Sequence, residues 1–240
     1  VTRSLLGYLA LAGPFYVVVS LAQALTRQGF DLARDEWSLL ALGHLGWIQQ
    51  ANLILTGVMI IVGAVGARRA IGRLADGGTW APRLLAGYGL GLIGAGIFRA
   101  DAADGFPPGT PDGRAAHVSG HGMLHLLSGS LGFACLIAAC FVMARSYRRR
   151  GERRAAAASA VVGVGFAAGF AGIASGAASE AVNLGFTAAV VISSAWLTSV
   201  AVGLYRRTRA ADAGRTSPAQ PDASPAGPKP PMTMKERRQR

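Results

Sequence analysis

Apolar residues fill six long blocks of the chain, 5–26, 46–67, 83–99, 121–144, 155–179 and 182–205, and the charges gather between and around them. The period-two alternation that marks barrel strands is absent. A hydrocarbon core about 30 Å thick needs roughly 20 helical residues. The blocks therefore predict an all-α fold, a polytopic membrane bundle of six transmembrane helices. The block at 83–99 is the shortest, and Arg83 and Arg99 at its two ends snorkel toward the interfaces.

Local patterns refine this picture. Ala22-Gln23-Ala24 resembles a signal-peptidase site. Signal h-regions run to about 7–15 residues, and the block before it is longer. The expectation is an uncleaved first helix, kinked near Pro14. Gly165, Gly169, Gly172 and Gly176 recur three and four apart in the fifth block, as Gly87 and Gly91 do in the third. Lipid supplies no hydrophobic drive between helices, so such faces predict close packing inside the bundle, with homo-oligomerisation as their other use. Gly89, Gly91 and Gly94 match the dinucleotide fingerprint GxGxxG letter for letter. That fingerprint needs a preceding strand and a βαβ unit, and here it falls inside a span. Cys135 and Cys140 are five apart on one helix and point to different sides, which predicts small apolar fillers rather than a disulfide or a zinc pair.

Composition agrees with the pattern: 51% of residues are hydrophobic and only 15% charged, which is not the balance of a soluble domain. The net charge of +12 could suggest nucleic acid, but the arginines stand in short clusters between apolar runs. No nucleic-acid partner is expected; the partner is the lipid bilayer. With both termini cytoplasmic, the inner segments hold twenty basic and five acidic residues. The outer segments keep only Arg27, Arg34, Arg99 and Arg114 against Asp31, Asp35, Glu36, Asp101, Asp104, Asp112 and Glu180. The positive-inside rule thus predicts this orientation, in a bacterial plasma membrane. The segment 210–240 carries six prolines between Pro218 and Pro231 and ends on Lys235, Arg237, Arg238 and Arg240. It is expected to be a disordered cytoplasmic tail, able to attract anionic inner-leaflet lipid.

Candidate chemistry lies in 96–128, GIFRADAADGFPPGTPDGRAAHVSGHGMLHLLS, which holds three of the four histidines. Asp101 and Asp104 are three apart, so a continuing helix would set both on one face. Phe106-Pro107-Pro108-Gly109-Thr110-Pro111 then forbids helix. His117, His121 and His125 follow at four-residue spacing. His121 and His125, being i and i+4 on a helix, form the firmer pair and with Asp101 make a candidate zinc site. Water on such a metal could attack an ester or amide. No HExxH is present, because Gly122 stands where the catalytic Glu would be. The plainer reading is that these histidines cap helices and bond to neighbouring loops. Asp101, Asp104, His117 and Glu180 are the candidate ligand-binding residues; Glu180 and Asn183, at the turn between the last two spans, are the nearest polar pair that a transporter would use.

In these residues, GIFRADAADGFPPGTP followed by SGHGMLH, the chain resembles a prokaryotic multi-pass membrane family known as domain of unknown function nine-nine-eight. The resemblance covers about 5–205. It implies a glycine-rich third span running into an Asp, a Gly-Pro loop and a His on the next span. By position it points to Asp101, Gly105, Pro107, His121 and His125, and it implies no activity. The expected function is an integral membrane protein whose extracytoplasmic Asp/His site binds a small ligand, ion or partner. The alternatives are a metal-dependent hydrolase of lipid-like substrates and a small-molecule transporter. Spans nearly free of charge argue against the transporter.

Overall fold

The computed structural model describes residues 1–73, 80–113, 117–176 and 179–216. Six α-helices account for most of them: α1 (Thr2–Thr26), α2 (Gly46–Arg73), α3 (Trp80–Ile97), α4 (Gly120–Arg149), α5 (Arg153–Ala174) and α6 (Glu180–Thr216). A short 3-10 helix, Trp37–Ala41, lies between α1 and α2. Among the described residues no β-strand occurs beyond an isolated bridge between Ala103 and Phe106. The fold is all-α. Five of the helices are long and apolar enough to cross a membrane, and α3 is the exception. Its 18 residues include Arg83 and five glycines, which dilute its apolar character.

The helix ends depart from the blocks in three places. α3 stops at Ile97, so Asp101 and Asp104 lie beyond it in a loop and share no helical face. α5 stops at Ala174, short of 179, because Gly176 takes the left-handed conformation (φ 83°) and its N–H bonds back to the Ile173 carbonyl. α6 runs past 205 to Thr216. The remainder of the expected tail, 217–240, lies outside the described residues.

Each helix packs on the next in chain order, and α6 returns to pack on α1. Short connections make sequential neighbours the natural arrangement. Large apolar side chains such as Leu11, Val18, Leu90, Leu131 and Val161 face outward, as lipid allows. The interior is built from residues of all six helices, among them Leu6, Leu53, Leu92, Leu136, Phe166 and Leu197. Phe133 on α4 meets Phe166, Phe170 and Phe186 edge-on at 5.1–5.7 Å, which joins α4, α5 and α6. Trp196 on α6 donates to Ser159 Oγ on α5 at 3.0 Å.

Glycines set the closest crossings, and α3 is the centre of them. A Cβ added at Gly89 would come within 2.6 Å of the Gly57 carbonyl of α2, and one at Gly91 within 2.5 Å of Gly132 Cα of α4. The match to GxGxxG is thus a two-sided packing seam. In α5, Gly169 and Gly172 abut Phe186 and Val182 of α6, whereas Gly165 has nothing within 4 Å. Half of the expected stripe therefore packs inside the bundle, and Gly165 does not. Cys135 lies against Gly87 of α3 and Cys140 against Gly163 of α5, so the two do face different neighbours.

α1 passes unbroken through Pro14. Proline has no N–H, so the Ala10 carbonyl one turn earlier loses its intrahelical donor. Thr198 of α6 supplies one, its hydroxyl donating to Ala10 O at 2.8 Å. At the same level Gly13 lies so close to the Ser194 carbonyl that a Cβ would stand 2.7 Å from it. A freed backbone group inside a membrane needs such a partner, and the neighbouring helix provides it.

Candidate functional site

The long connection 27–45 and the described parts of the next, 98–113 and 117–119, meet at one end of the bundle and fold together as a cap. Phe106, only 1% exposed, is its anchor. Phe30 meets its ring edge-on at 5.3 Å, and the Arg27 guanidinium stands 5.5 Å from its centroid. Arg27 also donates to the carbonyls of Leu40 and Leu42. Pro108 presses on Gly29, which has φ 81° and would put a Cβ 2.8 Å from the proline ring. Asp35 is fully buried, and its carboxylate accepts from Arg34 Nε at 2.8 Å and from the Asp31 N–H at 2.7 Å. That pairing satisfies a charge that burial alone would penalise. The bonds to Asp35 raise the Arg34 pKa, while partial burial lowers that of Arg27. From the start of α6, Asn183 donates to the carbonyls of Leu32 and Asp35, both at 3.1 Å. Three segments far apart in sequence are thereby tied into one structure.

The sequence-selected residues divide between this cap and its rim. Asp101 accepts from the Ser119 N–H at 2.9 Å, at the start of α4. There a carboxylate complements the exposed N–H groups and the positive end of the helix dipole. Ser119 itself caps the helix by accepting from Gly122 N–H at 3.0 Å. A Cβ at Gly122 would overlap the Asp101 carboxylate, so a side chain there would push that carboxylate away from the start of α4. His125, only 8% exposed, sets Nδ1 at 3.0 Å from the Ala95 carbonyl and 2.9 Å from that of Phe98. As the donor it satisfies two carbonyls left over at the end of α3. The four-residue spacing does put His121 on the α3 side as well, where its ring packs against Phe98 at 5.8 Å. His121, His117 and Glu180 are exposed. Asp104 is half-buried, in the left-handed region (φ 53°), with its N–H on the Gly113 carbonyl. Among the described residues no group of three or more His, Cys, Asp and Glu side chains is placed to hold a metal ion.

Beneath the cap lies a set of amides that charge counting passes over. Gln49 Oε1 on α2 accepts from Gln23 at 2.8 Å, Asn52 at 3.1 Å and Ser20 at 3.3 Å. Gln49 in turn donates to Ser20 Oγ at 3.1 Å, and Asn52 donates to the Tyr16 carbonyl at 3.2 Å. One turn deeper, Thr56 bonds to Asn52 at 3.5 Å and lines a small enclosed cavity of about 10 Å³ with Tyr16, Tyr88 and Ser193. The available signal was Ser20, Gln23, Gln49 and Asn52 falling inside otherwise apolar blocks.

Three buried polar atoms among the described residues have no hydrogen-bond partner: Gln23 Oε1, Trp37 Nε1 and Asn183 Oδ1. All three belong to the cap or the helix ends it covers. Trp37 packs on Tyr16 at 5.8 Å and on Ala24, next to Gln23, while Asn183 holds the Asp35 carbonyl two residues before Trp37. Buried polar groups are almost always paired, so unpaired ones ask for a ligand or water.

No curated protein and no solved structure matches the chain. A family described as protein of unknown function, DUF998, matches residues 10–205, a span that takes in the bundle and its cap. The chain is a multi-pass membrane protein and belongs to that family, DUF998.

Proposed function

We propose that the protein crosses the membrane six times, α3 included, with both termini in the cytoplasm, and binds a small hydrogen-bonding ligand beneath its extracytoplasmic cap. The distribution of arginines supports the orientation, since it leaves the capped end with four basic residues against seven acids. The observation that carries the binding reading is the trio of unpaired buried atoms, Gln23 Oε1, Trp37 Nε1 and Asn183 Oδ1. One donor and two acceptors suit a hydroxyl-bearing molecule, which can both give and accept. Asp101 and His125 act on this reading as the caps that hold the junction of α3 and α4 rigid. His117, His121, Asp104 and Glu180 form its rim.

Native mass spectrometry of protein extracted gently from its own membranes tests this. The parent should carry a small adduct, and Trp37→Phe, which keeps a ring but removes the N–H, should lose it. A parent without an adduct, or a variant that keeps it in full, would remove the binding reading. A second reading, transport, draws on the amide run that leads from Gln23 through Asn52 and Thr56 to the cavity at Tyr88. Reconstituted vesicles that take up glycerol no faster than protein-free ones would count against it.

A further inference from the structure

At the opposite end of the bundle the end of α4 and the start of α5 line a groove of about 930 Å³. Its rim is made by Arg145, Arg148, Arg149 and Arg153, and its floor by Phe141, Ala144, Ala156, Ala157 and Ala160. The four arginines are exposed. Among the described residues none of them has an ion pair, and the adjacent acid, Glu152, is engaged by Arg150 at 2.8 Å. Four like charges held on one groove repel each other. The helix ends sharpen the point. Arg148 and Arg149 suit the negative end of α4. Arg153, in the first turn of α5, stands where the dipole disfavours a cation, and the N-cap acid there, Glu152, is bonded to Arg150.

From this arrangement we infer that the groove binds an anionic phospholipid, with the phosphate among the arginines and an acyl chain along the alanine-lined floor. Two features select that occupant. A groove of about 930 Å³ is roughly thirty times a water's ≈ 30 Å³ share of liquid, far more than a free phosphate fills. Its chemistry changes from cationic rim to apolar floor over the helix ends, as a headgroup and its chain do. Basic pockets between membrane helices on the cytoplasmic side are suited to such headgroups. Only the naming of the inner leaflet rests on the proposed orientation, and retention in detergent does not depend on it.

The test is native mass spectrometry of the full chain exchanged into mixed micelles of phosphatidylglycerol or phosphatidylcholine. The parent should retain at least one phosphatidylglycerol under conditions that strip phosphatidylcholine. Arg148→Gln with Arg153→Gln should reduce that retention by about tenfold or more. Arg68→Gln with Arg69→Gln, two exposed arginines on α2, should leave it unchanged. Ala157→Trp keeps every arginine and fills the floor, so it should expel the lipid even if the arginine variant fails to fold. Equal retention of the two lipids by the parent, equal loss in the α2 variant, or full retention in Ala157→Trp would each overturn the inference.

Discussion

Replacing Gly91 with leucine is expected to cost the bundle about 3 kcal/mol or more, the upper part of the range for overpacking. The reason is geometric. Gly91 lies against Gly132 Cα and the Ser128 carbonyl of α4, so even a Cβ would stand 2.5 Å from backbone. A flexible side chain could swing away from such a contact, but backbone inside a helix cannot. Relief would need α3 and α4 to separate, and that would draw α3 into α2, where Gly89 and Gly57 are already in mutual contact. The seam on one side of α3 thus blocks escape from the other. Gly129→Leu is the control, since nothing lies within 4 Å of a Cβ there. Thermal unfolding in detergent should show a large drop in Tm for Gly91→Leu and little change for Gly129→Leu. Equal midpoints would mean that the α3–α4 seam is not the close contact described.

Gln49→Leu should have the second largest effect. Its Oε1 is the shared acceptor for Ser20, Gln23 and Asn52, all three of them buried. Leucine fills a similar volume but removes three hydrogen bonds at once, leaving Asn52 its bonds to the Tyr16 carbonyl and Ser20, and Gln23 its bond to the Val19 carbonyl. Hydrogen bonds between membrane helices average roughly 0.6 kcal/mol in double-mutant cycles, which sets a floor near 2 kcal/mol for three. The Ser20 hydroxyl also loses its acceptor, and leaving a buried donor unpaired costs about 1–3 kcal/mol, so the loss should exceed that floor. Gln50→Leu gives the comparison: that amide makes one bond, to the Gly96 carbonyl at 3.1 Å, and its loss should be less than half as large. A Gln49→Leu protein as stable as the parent would show that the amide network contributes nothing to holding α1 on α2.

The six helices were legible in the apolar blocks because lipid forces every spanning backbone group to bond within its own helix. Their ends were less so. Nothing in the hydropathy of 155–179 marks where α5 stops; the left-handed Gly176 does. The glycine letters of α3 carried more than a discounted fingerprint. Positions 89 and 91 differ by about 200° around a helix, so they had to face opposite neighbours, and α2 and α4 are those neighbours. The histidine pair was half legible. Four-residue spacing brought His121 and His125 to the α3 side of α4, but spacing does not reveal that the partners of His125 are two carbonyls. The cap was not legible at all. Its bonds join Arg27 to Leu42 and Asn183 to Leu32 across sequence distances on which local pattern is silent. The amide network escaped because the blocks were judged by charge, and amides carry none.

The topology turns on α3. It is the shortest helix and the one not apolar enough to be counted as a span on composition, yet the cap lies outside the membrane only if α3 crosses. Single cysteines at the exposed positions Gly72, Asp112 and Arg154, introduced into a chain with Cys135 and Cys140 replaced by alanine, report on the three segments that decide the matter. Intact cells making each variant would be treated with a membrane-impermeant maleimide, before and after permeabilisation. Asp112→Cys should react in intact cells, and Gly72→Cys and Arg154→Cys only once the membrane is opened. Reaction of Gly72→Cys and Asp112→Cys on the same side would contradict six spans, and a reversed pattern would contradict the cytoplasmic placement of the termini.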